Sequence, residues 1–204
     1  MKGSATVLRI GQSTTDTPTD SALLRQRFAQ QHALLLDDAI DPPFLETLSG
    51  VADKATFVPQ HIAGVGDRTI ETPPLAGQLM TLALRRSGFL RWLENVTQFE
   101  GIDDAEGRVV ETGRTEVEQL VWHDDTNHPA RRLAVTICLP GNDYSGGVFE
   151  MRRKGETDLL FSHHHDTPGS MLVFRVSKKL EHRLTPVSRG GPRRVFAGWF
   201  LHRP

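Results

Sequence analysis

Apolar positions in this chain follow one spacing up to about residue 98 and another from about residue 107. In the first stretch they recur every three or four residues, the period of a helix with one buried face. Leu23, Leu24 and Phe28 form such a set behind Asp20 and Ser21, either of which can cap it. Asp41-Pro42-Pro43 opens another, striped by Phe44, Leu45 and Leu48. Thr72-Pro73-Pro74 leads into a helix from Leu75 to Arg86, and Ser87 caps one carrying Phe89, Leu90, Trp92 and Leu93. Ala33-Leu34-Leu35-Leu36 is a short apolar run that reads as a buried strand.

Beyond residue 107 the runs shorten and take strand character, with Gly, Pro, Asn and Asp between them. They are Arg108 to Val110, Val117 to Trp122, Leu133 to Leu139, Gly147 to Met151, Met171 to Phe174, His182 to Val187 and Arg193 to Leu201. Seven such strands predict a sandwich or jelly roll. The expected organisation is therefore a flexible, Thr-rich lead-in over residues 1–20 and a single domain over 21–204. Within it a helical buttress (21–98) packs on one sheet of a β core (107–204).

Composition adds exclusions. At 204 residues with 38% apolar and 24% charged residues, the chain can bury an ordinary core. A formal net charge of -1 gives no broad field for nucleic acid or an anionic membrane, so the expected partner is a small molecule or peptide held in a pocket. No apolar run approaches the ~20 residues of a membrane span. The first ten residues lack the apolar stretch of a secretory signal, and a cytoplasmic address is expected. The single cysteine, Cys138, excludes an internal disulfide and a Cys-based zinc site, and reads as a buried apolar group.

Seven of the nine histidines lie between His123 and His202, which turns attention to the second half of the chain. In Val121-Trp122-His123-Asp124-Asp125 an extended backbone would project His123 and Asp125 together and Asp124 away. A third ligand must come from elsewhere, and His182, opening a later strand, is the best candidate. Two histidines and one carboxylate on one side of an ion leave its remaining positions open, the arrangement of non-haem iron(II) oxygenases. Arg193 shares its strand face with Val195, Ala197 and Trp199, and a cation pointing into a barrel mouth requires an anion. The run His163-His164-His165 is expected on a turn as solvated side chains, not as a second metal site. Trp122 and Trp199 are expected in the core.

These pieces occur in an order that resembles the prolyl-hydroxylase-like group of 2-oxoglutarate/iron(II) oxygenases, over residues 87 to 201. The matching segments are Gly88 to Glu94, Trp122-His123-Asp124-Asp125, Arg131-Arg132-Leu133, Gly146-Gly147-Val148-Phe149 and Gly169 to Phe174. Glu181-His182-Arg183-Leu184-Thr185-Pro186-Val187 and Arg193 through Trp199 complete the series. The resemblance implies a double-stranded β-helix of jelly-roll or cupin type with the N-terminal helices on one sheet. It implies iron(II) held by His123, Asp125 and His182, and 2-oxoglutarate held through its distal carboxylate by Arg193. It further implies consumption of dioxygen to hydroxylate an unactivated C–H bond, of a peptidyl or free proline-like amino acid or of another small metabolite. Cys138 stands where many relatives carry a tyrosine that also touches 2-oxoglutarate, and Val195 where a serine is often found. Residues 56–74 and 99–116 are expected as specificity loops. Two other classes fit these residues less well. A non-catalytic sensing module has no reason to keep all four polar residues, and a zinc hydrolase finds no glutamate at an evident general-base spacing, although Glu181 adjoins His182.

Overall fold

In the computed structural model, residues 7–113, 118 and 120–202 are described. The strands are β1 (Arg9–Ile10), β2 (Thr15–Asp16), β3 (Ala33–Leu36), β4 (Thr56–Ile62), β5 (Gly66–Thr72), β6 (Asp104–Thr112), β7 (Leu120–His123) and β8 (Arg131–Cys138). They continue with β9 (Tyr144–Gly146), β10 (Val148–Arg153), β11 (Leu159–His164), β12 (Met171–Arg175), β13 (Leu180–Leu184), β14 (Val187–Gly190) and β15 (Arg193–Leu201). The helices are α1 (Ala22–Gln31), α2 (Pro42–Ala52), α3 (Leu75–Leu84) and α4 (Ser87–Thr97).

One 11-stranded antiparallel sheet runs β11-β10-β13-β7-β5-β6-β15-β8-β12-β3, with β4 added beside β5. It rolls onto itself. Phe149, Met151 and Phe161 from β10 and β11 pack against Ala134, Leu172, Phe174 and Trp199 from β8, β12 and β15, so the two ends of the strand order face each other across a core. The result is the mainly β, double-stranded β-helix architecture expected from the sequence.

Strand alternation divides the labour of β15. Phe196 and Phe200 point to the helices, where they join Phe89, Leu90 and Leu93 of α4 and Met80 and Leu84 of α3 in the larger core. Arg193, Val195, Ala197 and Trp199 point the other way, into a cavity. Helix α3 lies so close to β6 that a side chain at Gly77 would come within 2.7 Å of the Arg108 backbone. Its free N-terminal amides are answered by a neighbouring strand: Glu71 of β5 accepts from Ala76 N–H (2.6 Å) and Gly77 N–H (3.0 Å). Of the two residues expected as caps, Asp20 accepts from Ala22 N–H at 3.0 Å, and Ser21 accepts the Trp92 indole N–H at 3.0 Å, which ties α1 to α4.

Several expectations are corrected. From residue 7 onward the lead-in is tied into the fold: β1 pairs with β2, and Leu8 and Ile10 are buried. Residues 56–74 are mainly the β4–β5 hairpin, not a loop, because Gly64 supplies the positive φ of its turn. Residues 99–116 hold the long strand β6 up to Thr112, and 114–116 lie outside the described residues. The strand expected from Val117 is described only as β7, with Val117 and Gln119 outside the described residues. His182 to Val187 divides into β13 and β14 around Pro186, which has no N–H to continue the ladder. No helix among the described residues is long and apolar enough to cross a membrane.

Phe89 is fully buried and packs on both Trp92 and Phe200, with ring centroids 5.8 Å apart in each pair. Phe89→Ala is expected to cost about 3–5 kcal/mol of folding stability, measured as a fall in the urea midpoint at unchanged slope. A loss under ~1 kcal/mol would mean that the helical layer is not pinned at this contact.

Candidate metal centre and its cavity

His123 and His182 come together because their strands pair: they are direct cross-strand partners between β7 and β13. Their ring centroids are 4.2 Å apart. Asp125 arrives differently from the sequence expectation. The strand stops at His123, and Asp125 has φ +57, a left-handed conformation that aspartate tolerates better than most residues. The turn still brings its carboxylate between the two rings, with Oδ1 3.7 Å from His123 Nε2 and Oδ2 3.5 Å from His182 Nε2. The three side chains offer ligand atoms all within 4.8 Å of one another, and this is the one such group among the described residues. Asp124 turns outward as expected, to Thr126 and to Lys154 Nζ at 2.8 Å.

The orientation of each ligand is enforced. The Val121 carbonyl can only accept, so His123 Nδ1, 2.6 Å away, carries the proton, and Nε2 presents a lone pair toward Asp125. Burial, then the neighbouring His182, lowers the pKa of His123, which keeps the ring neutral. Phe149 and Phe174 flank the His182 ring, with centroids at 5.7 and 4.6 Å. The Trp199 indole donates to Asp125 Oδ2 at 3.0 Å. Burial alone would raise the Asp125 pKa, but the hydrogen bond and charge of His182, with His123 and Trp199, outweigh it and hold the group well below the usual carboxylate range. Neutral imidazoles and an ionised carboxylate are the forms that bind a divalent cation.

The triad opens on a cavity of about 250 Å³ that Arg193 also lines. Arg193 is 5% exposed, and its Nε has no hydrogen-bond partner among the described residues. Its titratable neighbours are a phenol, a thiol and an imidazole. Burial pushes Tyr144 up to about 12 and Cys138 up to about 11, and burial, then the Arg193 charge, pulls His165 down to about 3. None of the three is charged near neutrality, so the guanidinium awaits an anion from the cavity. Arg194 faces the other side, on Glu111 (2.8 Å) and Asp53 (2.5 Å).

Three sequence readings change here. His163 and His164 belong to β11, and His165, just beyond it, is fully buried. Its Nε2 donates to the Ser170 carbonyl and its Nδ1 accepts from Thr136 Oγ1, both at 3.2 Å. Trp199 is a cavity residue, not simply core, and Arg131 stacks on it at 3.5 Å. Trp122 lies outside the core, stacked by Arg152 (3.9 Å) and Arg183 (4.7 Å). Glu181, the one acid weighed as a base, points away from the site and accepts from Arg152 at 2.8 Å.

Tyr144 was missed in the sequence. Its hydroxyl donates to the His165 carbonyl at 2.8 Å, and the phenol stands beside Arg193. Arg68 was missed as well. Only the tight Gly146-Gly147 turn hinted at Tyr144: a side chain at Gly146 would meet the Pro186 carbonyl at 2.1 Å.

Residues 110–201, which carry the triad and Arg193, match the family model described as the 2OG-Fe(II) oxygenase superfamily. The match covers most of the β core, 92 of the chain's 204 residues. The protein is accordingly a dioxygenase that uses iron(II), 2-oxoglutarate and dioxygen. No curated protein sequence matches the chain. Solved structures share its fold at low identity. An oxidoreductase of the 2OG-Fe(II) oxygenase family from Burkholderia pseudomallei is 15% identical with TM-score 0.67, over 92% of this chain and 93% of that one. A Pseudomonas putida prolyl-4-hydroxylase is 15% identical with TM-score 0.65, over 89% and 98%. A Trichoplax adhaerens prolyl hydroxylase, in complex with a hypoxia inducible factor oxygen degradation domain peptide fragment, is 13% identical with TM-score 0.65, over 89% of each chain.

Cys138 is 3% exposed and its thiol is raised to about 11 by burial. In the native oxygenase it should react with an aromatic disulfide at least about a hundredfold more slowly than a free thiol, and at the free-thiol rate after denaturation. Rapid labelling of the folded protein would show that the Arg193 end of the cavity opens to solvent.

Proposed function

We propose that His123, Asp125 and His182 hold the iron, that Arg193 clamps the distal carboxylate of 2-oxoglutarate, and that the enzyme hydroxylates an unactivated C–H bond of a small molecule or peptide. The observation that carries this reading is the buried Arg193 guanidinium, without a carboxylate partner among the described residues, in the same cavity as the triad. A proline-like amino acid, free or peptidyl, is the substrate class favoured by the order of motifs and by the fold shared with two prolyl hydroxylases.

Bound iron(II) supplies the redox chemistry that couples oxidative decarboxylation of 2-oxoglutarate to oxygen insertion. The chain's own contribution is positional. Val121 and Trp199 fix the tautomer of His123 and the direction of Asp125, so the ligand set forms without rearrangement. Phe149 and Phe174 shield His182 from water. Arg193, with Tyr144 beside it, would provide a planar fork for one carboxylate of 2-oxoglutarate. Asp125 keeps a carboxylate among the ligands, which favours hydroxylation over halogenation.

The test is formation of succinate from 2-oxoglutarate by the purified protein with iron(II), followed by a screen of extracts for the compound that stimulates it. The product should gain one oxygen atom, derived from labelled dioxygen. Turnover supported by zinc alone, or a product without that oxygen, would rule the reading out.

Loss of a charge-assisted bidentate pair costs roughly 1.5–3 kcal/mol, about 10- to 100-fold in affinity. Arg193→Ala should raise the 2-oxoglutarate requirement by that factor while iron(II) binding in its absence is unchanged. Arg194→Ala should leave the requirement as it is; the reverse pattern would reassign the clamp.

A further inference from the structure

The chemistry above leaves charge at the other end of the cavity unused. Arg68 of β5 and Arg131 at the start of β8 both line it. Arg108 of β6 stands near Arg68, on the strand face shared with the cavity residues Val110 and Thr112. Arg68 Nε donates to Gln60 Oε1 at 2.8 Å, a neutral partner, and no carboxylate among the described residues is in ion-pair contact with it. Arg131 lies flat on Trp199, donates to Asn127 Oδ1 at 2.8 Å and has Glu106 at 3.7 Å, but its Nε is buried without an acceptor. Arg108 has neither a hydrogen bond nor an ion pair among the described residues.

Three guanidinium groups in one region, answered by a distant contact of Arg131 to Glu106 and by the Asp125 carboxylate that also faces His123 and His182, amount to a cost in stability unless a further anion joins them. Burial, then the charge of Arg108, lowers the Arg68 pKa to about 10, which still leaves it protonated. This group is not the 2-oxoglutarate clamp. The neighbours of Arg193 are Tyr144, Cys138 and His165, whereas those of Arg68 are Arg108, Asp125 and Arg131. Trp199 joins the two functions, with its N–H on Asp125 and its face on Arg131.

We propose that Arg68 and Arg131, with Arg108 beside them, form a second anion site that holds the acidic group of a small primary substrate while its C–H bond faces the triad. This rests on the reading of the triad given above and narrows it: a free acid suits the site, and an internal peptidyl residue, which has no carboxylate to offer there, does not. A planar fork accepts a carboxylate or a phosphate ester equally, and a cavity of about 250 Å³ shared with 2-oxoglutarate admits only a small one.

The experiment uses anaerobic protein loaded with iron(II) and 2-oxoglutarate, so that Arg193 is already engaged. The visible iron–2-oxoglutarate band reports that loading. Benzoate, inorganic phosphate and neutral benzamide are then titrated, with thermal unfolding and the position of the band as readouts. Benzoate or phosphate should stabilise the loaded protein saturably and benzamide should not. Arg68→Gln and Arg131→Gln should each weaken that binding at least about tenfold, with the band retained, and Arg68→Lys should keep part of it. Tighter binding of benzoate assigns the acid as a carboxylate; tighter binding of phosphate assigns it as a phosphate ester. Absence of saturable binding by either anion, binding that survives in both Gln variants, or equal binding of benzamide overturns the proposal. Absence of the band in the parent protein would instead count against the iron and 2-oxoglutarate assignment.

Discussion

A buried cation that no charge among the described residues offsets is a standing cost, and Arg193 imposes it on the wall of this β core. The titratable groups beside it among the described residues, Tyr144, Cys138 and His165, are held in their uncharged forms, so none of them supplies a counter-charge. The arrangement is tolerable in a protein whose working state includes a bound acid. Burial first, and then repulsion by Arg193, keep the His165 imidazole neutral within its polar-looking run. Tyr144, anchored through the His165 carbonyl, then has its ring fixed against the guanidinium.

The two faces of β15 show how the fold keeps this site apart from the core that stabilises it. Side chains at alternate positions serve helix packing, through Phe196 and Phe200, and the cavity, through Arg193 and Trp199. Because one strand carries both, the cavity wall inherits the rigidity of the best-packed layer, and the triad inherits it through the Trp199 bond to Asp125. The helices never reach the cavity, yet they set the position of its back wall.

The sequence made the β core, the helices and the facing of Arg193 legible because each depends on local periodicity. The triad was readable for a different reason: its members sit in short segments of distinctive composition. What stayed hidden depends on contacts between distant segments. Beyond the Gly146-Gly147 turn nothing marks Tyr144, and nothing marks Arg68, since the charged groups they stand beside, Arg193 for one and Arg108 and Arg131 for the other, come from strands far away in sequence. His163 to His165 read as a turn because polarity suggested solvent, whereas pairing with β10 makes two of them strand residues and burial neutralises the third. Asp125 was expected beside the two histidines for an incomplete reason, since a left-handed turn and not an extended strand brings it to them. Trp122 shows the limit of aromatic residues as core markers, for two arginines cover it at the surface.

The β4–β5 hairpin supplies Gln60, Ile62, Val65 and Arg68 to the cavity but contributes none of the triad and not Arg193. It joins the sheet through β5, with β4 on the outside and a turn that closes locally. Exchange of residues along its inner face therefore alters what the cavity admits without disturbing the atoms that react. In such a molecule the jaw and the tooth can diverge at different speeds, and a lineage that keeps the same reaction can acquire a new diet by rewriting about a dozen residues of one hairpin.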